Sequence, residues 1–309
     1  MSITAVVELP SPVLGSLSPS RASDFKSCPL LYRFRAIDRL AEPPSPAAVR
    51  GTLVHSVLEQ LFDLPPAART LAAAEALVGP EWDRLADAAP EIAAMFDGPD
   101  GQDTKGETAG EDLTSWLESA RPLLKTYFEL EDPTRLEPAE REQLVEVLLP
   151  SGLRLRGFVD RLDIAPGGQI RVVDYKTGAA PREAFEGKAL FQLKFYALVI
   201  WRTRGVVPSE LRLLYLGDGD LLTYTPEAAE LARFERILEA LWAAIDRATQ
   251  SADFRPSPGP LCGWCRHQAL CPSFGGTPPP MPAVAPVGDD TSCAPTVPAA
   301  SGLAAVADD

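Results

Sequence analysis

Gly157-Phe158-Val159-Asp160-Arg161-Leu162-Asp163 and, after a Pro166-Gly167-Gly168 break, Val172-Val173-Asp174-Tyr175-Lys176-Thr177-Gly178 decide how this chain folds. Both stretches are rich in aliphatic and β-branched residues, and the break between them has turn chemistry. They predict an antiparallel hairpin with strands at Leu153 to Ile164 and Gln169 to Tyr175. Side chains alternate along a strand, so Asp174 and Lys176 share a face. The hairpin carries Asp160 to within one or two residue pairs of Asp174, where both carboxylates can hold one divalent cation. Mg²⁺ or Mn²⁺ held this way polarises a phosphate and acidifies a bound water, and a nearby Lys ammonium orients that water or offsets developing charge. The ordinary reading of Asp and Lys two apart on a strand is a solvated face. The apolar Val172-Val173 before them and Thr177-Gly178 after them instead mark a strand end, where active sites collect.

Working outward, Leu144, Val145, Val147 and Leu148 form another strand, closed by Pro150-Ser151-Gly152, which completes a three-stranded meander. Downstream come a helix from about Lys188 to Arg202, strands at Leu211 to Leu216 and Leu221 to Tyr224, and a helix from about Pro226 to Ala248. Upstream the texture is helical. Ser18-Pro19-Ser20 opens a helix with Phe25, Leu30, Leu31, Phe34 and Ile37, and a second runs from about Ala48 to Leu61. Residues 65 to 135 alternate Ala/Leu-rich stretches with an acidic, Gly-rich break at 98 to 110. An α/β chain follows, helix-rich first and then βββαββα, with a flexible N-terminus (1–16), one domain (17–275) carrying a helical insertion at about 65–142, and a disordered Pro/Ala-rich tail (276–309).

The chain has 309 residues, 46% hydrophobic and 23% charged, which is ordinary for a packed enzyme. It has no apolar run near the roughly 20 residues that span a bilayer. Met1 to Gly15 lacks a secretory pattern, so no membrane partner and a cytoplasmic location are expected. The net charge of −14 opposes nucleic acid in sum but not in distribution. Residues 65–146 carry −12 and the tail from Gly276 carries −4, leaving +2 elsewhere, where Arg21, Lys26, Arg33, Arg35 and Arg39 offer local basic surface. No G-x-x-x-x-G-K-[ST] loop or G-x-S-x-G elbow is present.

Further candidates lie outside the hairpin. His55 is one of only two histidines, and Glu59 shares its helix face at i+4. Gln192 and Tyr196 are also i and i+4, a spacing equally suited to packing beside Phe191, Phe195 and Leu198. Glu146 on the first strand is a weaker acidic candidate. Cys262-Gly263-Trp264-Cys265, Cys271 and the distant Cys28 can close a four-thiolate site, whose occupant, zinc or iron, the spacing leaves open. Cys293 falls in the tail as a free thiol.

These pieces together resemble the RecB-like branch of the PD-(D/E)XK nucleases, which includes the RecB and AddB nuclease domains and the CRISPR-associated RecB-like exonucleases. The resemblance spans most of residues 17–274 and rests on Leu17 through Tyr32 with Cys28-Pro29, Gly51-x-x-x-His55, Gly157-x-x-Asp160-Arg161-x-Asp163, Asp174-Tyr175-Lys176-Thr177-Gly178, Gln192-x-x-x-Tyr196 and the cysteine cluster. It implies a restriction-endonuclease-like mixed sheet flanked by helices. It also implies a catalytic metal on His55, Asp160 and Asp174, with Lys176 acting on the attacking water and Gln192 and Tyr196 positioning DNA or supporting the site. A [4Fe-4S] cluster on Cys28, Cys262, Cys265 and Cys271 is implied in preference to zinc. The expected activity is metal-dependent hydrolysis of DNA, exonucleolytic on single-stranded ends or flaps, in repair or recombination. The rival expectations are a non-catalytic DNA-binding or scaffold subunit beside a helicase partner, and a CRISPR-adaptation nuclease.

Overall fold

A computed structural model describes residues 15–96, 112–180 and 186–282. The expected acidic break at 98–110, the start of the N-terminus, Cys293 and the tail beyond residue 282 lie outside the described residues. The helices are α1 (Pro19–Ser27), α2 (Pro29–Tyr32), α3 (Pro46–Leu61), α4 (Leu71–Ala88), α5 (Pro90–Ala93), α6 (Leu113–Glu118), α7 (Arg121–Leu130), α8 (Glu186–Arg204) and α9 (Ala228–Ser251). The strands are β1 (Glu140–Leu148), β2 (Arg154–Ile164), β3 (Ile170–Lys176), β4 (Glu210–Tyr215) and β5 (Asp220–Tyr224), in the spatial order β1-β2-β3-β4-β5. This is the mixed α/β sheet that the order βββαββα predicts.

Local chemistry sets the boundaries. Ser45 caps α3 by accepting from Ala48 N at 3.2 Å, and Pro46 fills the first turn where no N–H is needed, so the helix starts before Ala48. Thr70 caps α4 in the same way through Ala73 N. The single helix expected from Ser18 is instead broken. Cys28 is extended (φ −160°) ahead of Pro29, because a residue before proline is disfavoured from helical backbone, and the chain continues through α2 into a π-turn at Arg33–Ile37.

The chain divides into two compact units. One comprises residues 43–145 and 158–227. Its strands β2 and β3 pair antiparallel with Arg161 opposite Val173, and β3 pairs parallel with β4, with Lys176 opposite Tyr215. A parallel pair needs a crossover, and α8 supplies it. Val173, Tyr175, Leu214 and Leu216 join Val54, Leu58, Trp82, Trp116 and Tyr127 of α3, α4, α6 and α7 in one buried core. The alternate residues of β3 and β4 turn the other way, where Leu193, Tyr196, Ala197 and Ile200 of α8 are buried. The other unit comprises, among the described residues, 15–42, 146–157 and 228–282. It holds α1, α2 and α9, with Leu17 bridged to Leu155. Among the described residues no helix is long and apolar enough to cross a membrane.

Candidate active site

β2, β3, α3 and α8 deliver the predicted residues to one place, and β1 adds one that sequence reasoning missed. Extending the β2–β3 register by one pair from Arg161–Val173 sets Asp160 opposite Asp174. The Asp160 carboxylate accepts from Tyr175 N at 2.7 Å, so the backbone of one catalytic strand orients the acid of the other. His55 Nε2 lies 3.0 Å from Tyr175 O. A carbonyl only accepts, so Nε2 carries a proton, and Nδ1 is the nitrogen that would offer a lone pair once the ring is neutral.

Nδ1 faces Asp160 Oδ2 at 3.4 Å and Glu142 Oε1 at 3.6 Å. Two carboxylates and a ring nitrogen thus converge in a largely buried setting that favours positive charge between them, a proton on Nδ1 or a metal ion that replaces it. His55 Nδ1 and Glu142 Oε2 are buried without a hydrogen-bond partner, as atoms that ligate a metal are. Among the described residues, His55, Glu142 and Asp160 are the group of three or more such side chains whose ligand atoms lie within 4.8 Å of one another. The donor set of one imidazole nitrogen and carboxylate oxygens fits Mn²⁺ or Mg²⁺.

The electrostatics carry the same message. Burial alone would lower the His55 pKa, but Asp160 and Glu142 outweigh it and push it up to about 10. Burial raises Glu142 to about 8 against the pull of His55. Asp160 is buried too, yet His55 and Lys176 hold its pKa below the usual carboxylate value.

Asp174 completes the site from the side of β3. Burial lifts its pKa to about 6, opposed by Lys176, whose Nζ stands 2.5 Å from Asp174 Oδ2. Burial would lower Lys176, but Asp174 and Asp160 raise it above its ordinary value, so it remains an ammonium. Gln192 Nε2 donates to Asp174 Oδ1 at 2.9 Å and lies 3.2 Å from Tyr196 Oη, which joins both α8 residues to the carboxylate. Two weaker candidates sit apart from the metal group. Glu146 is exposed and pairs with Arg154 at 3.2 Å, while Glu59 flanks His55, Glu142 and Asp160 without entering the ligand group. Glu142 went unread because the strand was expected to begin after it and because its backbone is left-handed (φ +43°), which breaks the period-two pattern.

In the other unit Cys28, Cys262, Cys265 and Cys271 are free, partly buried thiols. Burial raises the Cys265 pKa, and the nearness of Cys28, Cys262 and Cys271 raises it further, so the four form one group. Ser257 N donates to Cys28 Sγ at 3.4 Å and Gly259 N to Cys262 Sγ at 3.2 Å.

A family model described as the PD-(D/E)XK nuclease superfamily matches residues 16–272. The Gene 69 protein of Mycobacterium phage L5 is 26% identical over 291 residues, covering 83% of this chain and 96% of that protein. The Gene 69 protein of Mycobacterium phage D29 is 26% identical over 293 residues, with the same coverage of each. A solved protein from Eubacterium rectale, provisionally named an exonuclease, aligns with a TM-score of 0.54 at 15% identity, covering 86% of this chain and 93% of that one. At that identity the likeness is one of fold.

Proposed function

From the premise that the chain belongs to the PD-(D/E)XK nuclease superfamily, we propose that it is a DNA exonuclease of the RecB-like branch, acting on single-stranded ends or flaps in repair or recombination. The observation that carries the reading is the buried convergence of His55, Glu142 and Asp160, with unpartnered ligand atoms, beside the Asp174–Lys176 pair. His55, Glu142 and Asp160 would hold the divalent ion, with Asp174 adjacent. When bound, such an ion polarises the scissile phosphate and acidifies its water.

The chain's own residues have separable tasks. Lys176 keeps Asp174 ionised and, as an ammonium, offsets negative charge developing on the phosphate. Gln192 fixes the Asp174 carboxylate through Oδ1, leaving Oδ2 towards Lys176. The Tyr175 backbone is used twice, its N–H orienting Asp160 and its carbonyl setting the His55 tautomer. A scaffold subunit without catalysis has no need of this set, so retention of Asp160, Asp174 and Lys176 favours the enzyme.

The test is a Mn²⁺-dependent assay on labelled single- and double-stranded DNA. Asp174→Ala and Lys176→Ala are each expected to lose at least about 10²-fold in kcat, the scale of removing one transition-state contact. Equal activity in wild type and both variants overturns the mechanism.

For the cysteine site the reading is a [4Fe-4S] cluster with a structural role. The reading rests on the resemblance to RecB-like nucleases and on the four thiols lying near one another in one unit. Brown protein with broad visible absorption after anaerobic purification supports it, and colourless protein with stoichiometric zinc refutes it.

A further inference from the structure

We propose that the cleft beyond Lys176 is a nucleotide pocket for the substrate strand, in which Lys188 binds a backbone phosphate neighbouring the one that is cut. The proposal rests on the nuclease reading above and names where its substrate lies.

The cleft has a volume of about 520 Å³ and is lined by Lys176, Thr177, Gly178, Lys188, Gln192 and Tyr215, among others. It opens directly from the site, since Lys176 and Gln192 both touch the Asp174 carboxylate. One wall is fixed by the backbone. Leu216 N donates to Lys176 O at 2.7 Å, Gly217 N to Gly178 O at 3.3 Å, and Ala180 N to Asp218 Oδ2 at 2.9 Å. Gly217 is pressed so tightly there that an added Cβ would meet Gly178 C at 2.7 Å. Leu213 and Tyr215 close the bottom of the cleft, both buried beneath it.

Lys188 supplies the charge. It is exposed and has no ion-pair partner among the described residues. It stands four residues before Gln192 on α8, about 6 Å along the same helix face. Three arginines of this unit are committed instead, Arg171 to Asp163, Arg204 to Glu140 and Arg212 to Glu210. An uncommitted ammonium at this cleft, one helical turn from Gln192 and in a chain of net charge −14, is a place for phosphate. The volume falls in the range of pockets that enclose one small ligand, about 300–1,000 Å³, so one nucleotide of a single strand is the occupant.

The experiment uses the full chain in Ca²⁺ buffer and a fluorescein-labelled single-stranded oligonucleotide, with binding read by anisotropy across a salt series. Lys188→Glu is compared with Arg233→Glu, an exposed position on α9 with the same change in net charge. Lys188→Glu is expected to raise Kd at least 10-fold and to reduce the slope of log K against log salt by about one. In Mn²⁺ the loss in kcat/KM is expected to fall mainly on KM. Unchanged binding by Lys188→Glu, or an equal loss in Arg233→Glu, overturns the pocket while leaving the nuclease reading intact. Lys188-dependent binding in a protein that cleaves nothing supports the pocket and sinks the nuclease reading instead.

Discussion

Glu142 shows what a single residue contributes. A non-glycine residue at φ +43° inside a strand carries local strain, of order 1–3 kcal/mol, which persists only where the surroundings enforce it. Here the distortion brings the carboxylate to 3.6 Å from His55 Nδ1 and leaves Oε2 buried and unpartnered. Glu142→Gln preserves the shape and removes the charge, so Mn²⁺ affinity, followed by the paramagnetic resonance of the free ion, is expected to fall at least 10-fold. Glu146→Gln, at the solvent-exposed partner of Arg154, is expected to leave it unchanged. Equal affinities in wild type and Glu142→Gln would remove Glu142 from the ligand set. Asp160, Asp174 and Lys176 were legible in the sequence because strand period and a Pro-Gly-Gly turn suffice to juxtapose them. Glu142 was not, because a left-handed residue defeats the alternation on which such reading depends.

At the scale of the element, the β2–β3 hairpin is held from behind. Arg161, next to Asp160, reaches Glu131 at 2.7 Å, Asp163 at 3.1 Å and the Tyr175 hydroxyl at 2.8 Å, and is 1% exposed. Tyr175 sits between Asp174 and Lys176, so this buried network pins the two strands that carry the site. Removing one partner of a buried ion pair leaves the other charged and desolvated. Arg161→Met is therefore expected to cost about 3–5 kcal/mol in urea unfolding, and a cost below about 1 kcal/mol would show that Glu131 and Asp163 find other partners. Gly217→Ala tests the other end of the strands. Its Cβ would strike the backbone of Gly178, which cannot yield as a side chain can, so overpacking of about 1–3 kcal/mol is expected. Gly51→Ala is the control, because its Cβ meets only Thr177 Oγ1 at 3.4 Å. Hairpin, crossover helix and strand order were readable from periodicity and turn residues, whereas the burial of Arg161 was not, since a charged residue in a strand reads as solvent-facing until its partners Glu131 and Tyr175 are known.

For the whole molecule, the two units are stabilised by different means. The unit bearing the metal site has the large aromatic core around Trp82, Trp116 and Tyr127. The other has fewer large buried residues, among them Tyr32, Phe34, Phe234 and Leu238, and brings together Cys28 and Cys262–Cys271. A small core supplemented by a metal or cluster behaves as one cooperative piece whose folding free energy is partly binding free energy. A metal or cluster on the four thiols would also tie residues more than two hundred positions apart, where closing a long loop restricts the unfolded chain most. Cys265→Ser is accordingly expected to lower amide protection in α1, α9 and the segment from Phe254 to Phe274, read by hydrogen exchange. Protection of β3 and α8 should persist, because their hydrogen bonds belong to the unit with the large core. Loss of protection across both units together would mean that the chain unfolds as a single cooperative body. Unchanged protection in α1 and α9 would mean that the four thiols carry no structural load.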